Sequence, residues 1–280
     1  MKRVLTLSAV LILAVPVLAQ DSKEVTTVKS ETTTVSKGVD LLTGGTFNVI
    51  DATPLTTNTI DLLFSYRWLT ASAPTNGGDS DDDSLVQPTL VWGAMENLEL
   101  SVGVPVWVGD AGDIPGQGDG NADTHLGTLW RVMDQNGYWP ALALAGSIRT
   151  PTGDRSSGVD GEARLVLTNE YDSGIRSHIN GFVATVNGNN DEDFRHFQWG
   201  LLAGLDGPLC AGGAVRWVAD YLHRSSHHYG ASNINELELG WQWQIADAHK
   251  LGMSTRIGLD DNEDTPNFGT GFTYAYTISY

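Results

Sequence analysis

The chain has 280 residues, with 34 Asp and Glu against 16 Lys and Arg and a formal charge of −18. That balance excludes a binder of nucleic-acid backbones, which needs a positive surface. One cysteine excludes an internal disulfide framework, and after the first 19 residues no apolar run is long enough for a membrane helix.

Residues 1–19 have the layout of a secretory signal peptide: Lys2 and Arg3, an apolar run from Val4 to Leu18, and Val17-Leu18-Ala19 before Gln20. The expectation is an exported chain starting near Gln20. Cys210 lies far from that start, so no lipid-modified cysteine comes after the leader, and its thiol is expected to face the wall or core. Residues 20–58 carry repeated Thr-Thr and Val-Ser-Lys elements and then Gly44, Gly45 and Pro54. They read as a periplasmic N-terminal extension, disordered in its first part, whose later half tucks into the lower mouth of a barrel that begins at Thr59. A short extra strand within Thr46–Ala52 is an alternative.

From Thr59 the pattern turns to period two. About twelve strands are predicted, at 59–69, 84–93, 97–108, 122–133, 139–150, 161–171, 176–187, 195–205, 210–223, 234–245, 249–259 and 267–280, each near the length of a tilted membrane strand. Ile60, Leu62, Phe64, Tyr66 and Trp68 share one face of the first, and Asp61, Ser65 and Arg67 the other. Leu98, Leu100, Val102, Val104 and Val106 oppose Glu99 and Ser101; Leu237, Leu239, Trp241 and Trp243 oppose Glu236, Glu238 and Gln242. One face suits lipid, the other water.

The connections alternate between short and long. Ala94–Glu96, Asp134–Tyr138, Asp172–Ile175, Asp206–Leu209 and Ala246–Ala248 are short, while 70–83, 109–121, 151–160, 224–233 and 260–266 are long and 188–194 is intermediate. Asp-Gly and Asn-Gly pairs in the short ones are suited to tight reversals. A soluble sandwich or jelly roll, the competing fold, has no reason to sort its loops by length; a barrel with short periplasmic turns and longer outer loops does. The expected fold is therefore all-β: an antiparallel transmembrane β-barrel of about twelve strands over residues 59–280, in the bacterial outer membrane.

The last strand puts Phe268, Phe272, Tyr274, Tyr276, Ile278 and Tyr280 on one parity and Gly269, Gly271, Thr273, Ala275 and Thr277 on the other. It resembles the C-terminal strand of outer-membrane barrels, which implies that Phe272, Tyr274, Tyr276, Ile278 and Tyr280 act as a signal to the barrel assembly machinery. This strand should close onto the first.

Gly45-Thr-Phe-Asn-Val-Ile-Asp-Ala52, Leu62-Leu-Phe-Ser-Tyr-Arg67, Glu99-Leu-Ser-Val-Gly-Val-Pro105, Gly120-Asn-Ala-Asp-Thr-His-Leu-Gly127 and Arg149-Thr-Pro-Thr-Gly-Asp154 resemble the outer-membrane transporter-like family named for a putative MetA pathway of phenol degradation. The similarity runs over most of residues 45–280. It implies a barrel that passes small molecules, hydrophobic or aromatic ones among them, and it implies no catalytic residue.

The polar parity supplies the lumen candidates: Arg67, Glu99, Asp123, Arg131, Arg149, Glu162, Arg164, Arg216, Asp220, Glu236, Glu238 and Arg256, with Asp61 and Glu170 alongside. Charges of both signs can line a pore or pair across strands and fill it; the mixture argues against strong ion selection. The acidic clusters at Asp79–Asp83, Asp191–Asp193 and Asp260–Asp264 lack calcium-loop spacing and read as solvated loops, with divalent-cation binding as the alternative. His223, Ser225, Ser226, His227 and His228 invite a hydrolase or metal reading, but their spacing does not establish one. Gly116–Gly120 lacks the Lys-Ser/Thr of a phosphate loop. The expectation is a monomeric, non-enzymatic barrel without cofactor or metal, with membrane lipid and a small solute as partners. The competing reading is a structural or surface barrel with a plugged lumen and ion-binding acidic loops.

Overall fold

A computed structural model describes residues 41–42, 45–70, 82–108, 120–153, 158–187, 194–210, 213–260 and 265–280. Its strands are β1 (Thr59–Thr70), β2 (Asp82–Met95), β3 (Leu98–Gly103), β4 (Val106–Trp107), β5 (Gly120–Asn121), β6 (Thr124–Met133), β7 (Ala141–Thr150), β8 (Asp160–Glu170), β9 (Arg176–Thr185), β10 (Phe197–Pro208), β11 (Val215–Arg224), β12 (Ile234–Ala246), β13 (His249–Gly258) and β14 (Phe268–Ser279). β3 and β4 are two pieces of one wall strand interrupted at Val104-Pro105, and β5 and β6 are pieces of the next. Every neighbour pairing is antiparallel, and β1 pairs with both β2 and β14, so the sheet is a closed twelve-stranded barrel.

Closure leaves no unpaired edge. The seam runs over the whole length of β14, from Thr59 opposite Ser279 to Thr70 opposite Phe268. At its end the Tyr280 amide donates to the Asn58 carbonyl and Trp92 Nε1 donates to the Tyr280 hydroxyl at 2.8 Å. Chain direction then places the short turns at one rim, together with Asn58 and Tyr280, and the long connections at the other.

Side-chain parity agrees with the sequence pattern. Leu62, Phe64, Leu90, Leu100, Leu144, Leu165, Leu201 and Met253 point outward and are exposed. Exposed aromatics gather at both ends of this apolar band: Trp92, Trp139, Tyr171, Trp243 and Tyr280 toward the short-turn rim, Phe197, Trp199, Tyr229 and Phe268 toward the other. Amphipathic rings at two levels are what a wall crossing two membrane interfaces carries. The buried residues face the interior, and many of them are polar or charged.

Two expectations need correction. The Asp206-Gly-Pro-Leu209 reversal does not form: β10 runs through Pro208, the Leu209 amide donates to the Val215 carbonyl, and the turn comes after Leu209. The reason is that Asp206 accepts hydrogen bonds from the buried Arg176, Arg216 and His178, which hold it in the wall. Cys210 consequently falls on that turn and is exposed, facing neither wall nor core. The Asp79–Asp83, Asp191–Asp193 and Asp260–Asp264 clusters lie largely outside the described residues, and residues 116–119 and 20–40 lie wholly outside them.

Candidate functional site: the lumen and its plug

Residues 41–58 are not part of the wall; much of this segment lies inside it. Leu41, Leu42, Thr46, Phe47, Val49, Asp51 and Ala52 are all buried. The chain turns with the Gly45 amide on the Leu42 carbonyl at 3.0 Å, and the Leu41 amide meets Asp51 Oδ2 at 3.2 Å, so the segment is a bent-back plug.

An irregular peptide inside a barrel must satisfy its own backbone groups, because neither water nor a strand partner does so. Here the wall's side chains supply the partners. Glu238 Oε2 accepts from the Asn48 amide at 2.7 Å and Arg164 donates to the Asn48 carbonyl at 3.1 Å. Asn180 brackets Ile50, its Oδ1 accepting from the amide and its Nδ2 donating to the carbonyl, each at 3.0 Å. Gln242 accepts from Leu42, Thr168 from Ala52, and Glu99 Oε2 from Leu55 at 2.8 Å, while Arg256 donates to the Thr46 carbonyl. The plug's side chains pack on opposite sides of the lumen. Leu41, Phe47 and Val49 meet Leu202, Val218 and Leu222; Leu42 and Leu55 meet Leu63, Val91 and Ala275; Ile50 and Ala52 meet Leu129, Ala143 and Val166.

Close approach requires small wall residues. A Cβ on Gly271 would lie 2.8 Å from Thr46, one on Gly240 2.6 Å from Phe47, and one on Gly204 3.0 Å from Val49.

Below the plug's tip sits a charge cluster around Asp206, which is fully buried. Arg216 Nε donates to Oδ1 at 2.7 Å, Arg176 Nε donates to both oxygens at 3.1 Å, and His178 Nε2 stands 2.6 Å from Oδ2. Arg176 also reaches Asp51 of the plug at 3.0 Å. With Asp206 accepting from His178 Nε2, the other ring nitrogen accepts the Thr168 hydroxyl at 3.0 Å, which leaves Thr168 Oγ1 to accept the Ala52 amide. The threonine–histidine–aspartate chain has the members of a nucleophilic relay. Yet Thr168 is buried beneath the plug and its oxygen is occupied by the plug backbone. Its evident work is to anchor Ala52.

Toward the long-loop rim the interior opens into a vestibule of about 640 Å³, floored by Gly45–Asn48 and Ile50 of the plug. Its walls carry Arg67, Arg149, Arg164, Arg224, His125 and His227 with Asp160 and Glu162, and apolar surface from Phe182, Phe194, Leu129, Leu202 and Leu222. Arg149 pairs with Asp160 at 3.4 Å and Arg164 with Glu162 at 2.9 Å; Arg224 is 3.8 Å from Glu236. The Arg164 guanidinium also lies over the Phe182 ring, 4.9 Å from its centroid.

The structure thus divides the sequence-predicted lumen residues among distinct places. Arg67, Arg149, Glu162 and Arg164 line the vestibule, with Glu236 behind Arg224. Glu238 and Arg256 form a buried pair at 2.9 Å, with Asp220 directly across from Glu238, and together with Glu99 they surround the plug. Arg216 belongs to the Asp206 cluster. Arg131 pairs with Asp134 at the short-turn rim and Asp123 caps the Gly153 amide at the other, away from both. Sequence reasoning missed Asp206, Arg176, His178, Asn180 and Thr168. The residues on β9 share the polar parity of a predicted strand, so that alternation was the available signal.

The histidine-rich stretch distributes its groups among local bonds. His223 Nδ1 pairs with Asn235 Oδ1 at 2.7 Å, His227 Nδ1 with Gln198 Nε2 at 2.8 Å, Ser225 Oγ accepts from the Trp199 amide and Ser226 Oγ donates to the His228 carbonyl. Among the described residues no group of three His, Cys, Asp or Glu side chains is placed to hold a metal.

No protein-family model matches the chain, and no curated protein matches it in sequence. Solved structures do match in fold. A crystallised outer-membrane channel from Pseudomonas putida F1 superposes with a TM-score of 0.65 at 14% identity, covering 83% of this chain and 100% of that one. The NanC porin superposes with a TM-score of 0.54 at 7% identity, covering 78% and 100%. The fold is therefore that of an outer-membrane β-barrel.

Proposed function

We propose that this chain is an outer-membrane channel that passes small organic molecules, hydrophobic or aromatic ones among them, and that the plug must shift for passage. The supporting observation is the vestibule, a cavity of about 640 Å³ whose floor is not wall but a peptide held by side-chain hydrogen bonds. Such a floor can leave without breaking the sheet. The mixed apolar and polar lining suits solutes with an apolar body and a polar end, and the resemblance to the phenol-degradation family points the same way.

Reconstitution in planar bilayers tests this. The full chain should give small or infrequent conductance steps, and a chain lacking residues 41–55 should give larger and more frequent ones. Absence of steps from well-folded protein in both forms would overturn passage and favour the competing reading, a structural barrel whose lumen stays filled. The density of bonds between plug and wall is the observation on that side.

The same reading assigns Phe272, Tyr274, Tyr276, Ile278 and Tyr280 to recognition by the barrel assembly machinery, with Tyr280 also tied to Trp92 across the seam. Tyr280→Ser should lower the amount of heat-modifiable protein in outer-membrane fractions before it alters any flux; unchanged insertion would remove the assignment.

A further inference from the structure

We propose that the vestibule is a binding site for small organic monoanions, carboxylates carrying an apolar body, with Arg67 and Arg224 as the residues that take the carboxylate. The proposal deepens the channel reading, since it rests on the vestibule being the solute's way in.

The first observation is a local inversion of charge. The whole chain has about twice as many acids as bases, whereas the vestibule is lined by four arginines, Arg67, Arg149, Arg164 and Arg224, against Asp160 and Glu162. The second is which of these cations are answered. Arg149 and Arg164 have the two lining acids as partners. Arg67 makes no ion pair among the described residues; Arg256 and, more weakly, Arg224 repel it, and Glu238 and Glu236 attract it from beyond ion-pair distance. Arg224 reaches Glu236 only at 3.8 Å, and its Nε is buried without a hydrogen-bond partner. Two guanidinium groups that line one cavity without a close carboxylate, one of them with an orphaned donor, offer hydrogen bonds to an anion that enters it. A planar carboxylate fits the guanidinium fork through paired hydrogen bonds.

The remaining lining defines the rest of the ligand. Phe182, already under the Arg164 guanidinium, lines the cavity with Phe194, Leu129 and the plug's Ile50, so an aromatic or short aliphatic body meets apolar surface. Asp160 and Glu162 sit in the same wall and occupy Arg149 and Arg164, which leaves Arg67 and Arg224 as the cations for a single carboxylate. An ammonium group meets Arg67 instead and is rejected.

The test is titration calorimetry on the full mature chain in detergent with three probes of similar shape: benzoate, benzyl alcohol and benzylammonium. Benzoate should bind saturably, with the other two at least about tenfold weaker, as expected for the loss of one charge-assisted hydrogen-bonded contact. Arg67→Gln should weaken benzoate by about tenfold and leave benzyl alcohol unchanged, Arg67→Lys should lose less, and added salt should weaken benzoate alone. Arg224→Gln provides a second variant, and heat-modifiable mobility verifies folding of each. Equal affinity for benzoate and benzyl alcohol, no saturable benzoate binding, or full benzoate affinity in both folded glutamine variants would overturn the proposal. Binding without conductance would sink passage and leave this assignment standing; conductance without discrimination among the probes would do the reverse.

Discussion

The two halves of the lumen share one wall and one alternation of side chains, yet they use charge in opposite ways. Around the plug, Asp206 with Arg176, Arg216 and His178, and Glu238 with Arg256, are buried and matched. In the vestibule the arginines line a cavity, and two of them lack close carboxylates. The difference comes from what occupies each half. An irregular peptide offers bare amides and carbonyls, so the wall around it must present acceptors and donors at fixed heights, and their charges must be balanced because water is excluded. A cavity with no peptide in it makes no such demand and can keep cations available. The nearness of a carboxylate, rather than residue type, separates a structural arginine from a binding one here.

The largest expected effect lies in the plugged half. Asp206→Ala leaves Arg176, Arg216 and His178 buried around a missing anion, and removal of one member of a buried ion cluster costs about 3–5 kcal/mol. Equilibrium unfolding in detergent, followed by gel mobility, should show that loss. Because Arg176 also holds Asp51, the same variant should expose the plug to added protease. A variant as stable as the parent would break the distinction between the halves, since the cluster would then be no more important than a solvated pair.

A subtler change separates plug from wall. Gly271→Val inserts a side chain where even a Cβ would be 2.8 Å from Thr46 of the plug and 2.9 Å from the Ser254 hydroxyl of the wall, a group that takes no part in the backbone ladder. Overpacking of this sort costs about 1–3 kcal/mol. The expected signature is faster hydrogen exchange at the Asn48 and Ile50 amides with wall amides unchanged. Equal acceleration in both would mean that plug and wall open as one unit.

The wall was largely legible from period-two patterning, because a barrel strand has one face in an apolar medium and one face away from it, as in Leu237 to Trp243 against Glu236 to Gln242. The pairing of the last strand with the first was expected from the same pattern. The plug was not legible in this way: an irregular peptide has no periodicity, and partners such as Thr168 for Ala52 and Arg256 for Thr46 are 116 and 210 residues away in the chain. One trace of it was present. The inward parity of the last strand is Gly269, Gly271, Thr273 and Ala275, and the absence of long side chains there makes room for a second chain to press against it. Asp206 was misplaced because Asp-Gly-Pro is a good reversal signal on local grounds, and only Arg176, His178 and Arg216, on neighbouring strands, override it.

The smallest expected effect tests the other side of the comparison. Arg149 lines the vestibule with its side chain about half exposed, 3.4 Å from an Asp160 that is largely covered. A pair whose cation is half in solvent is screened and contributes about 0–1 kcal/mol, so Arg149→Gln should shift unfolding by less than Asp206→Ala does. Its effect belongs instead to the electrostatics of the cavity. Freed of its partner, Asp160 adds an unbalanced negative charge beside Arg164 and Glu162, so benzoate affinity should fall while stability holds. If Arg149→Gln destabilised the barrel as strongly as Asp206→Ala, the vestibule's charges would be structural after all, and the contrast between a matched lower lumen and an available upper one would no longer stand.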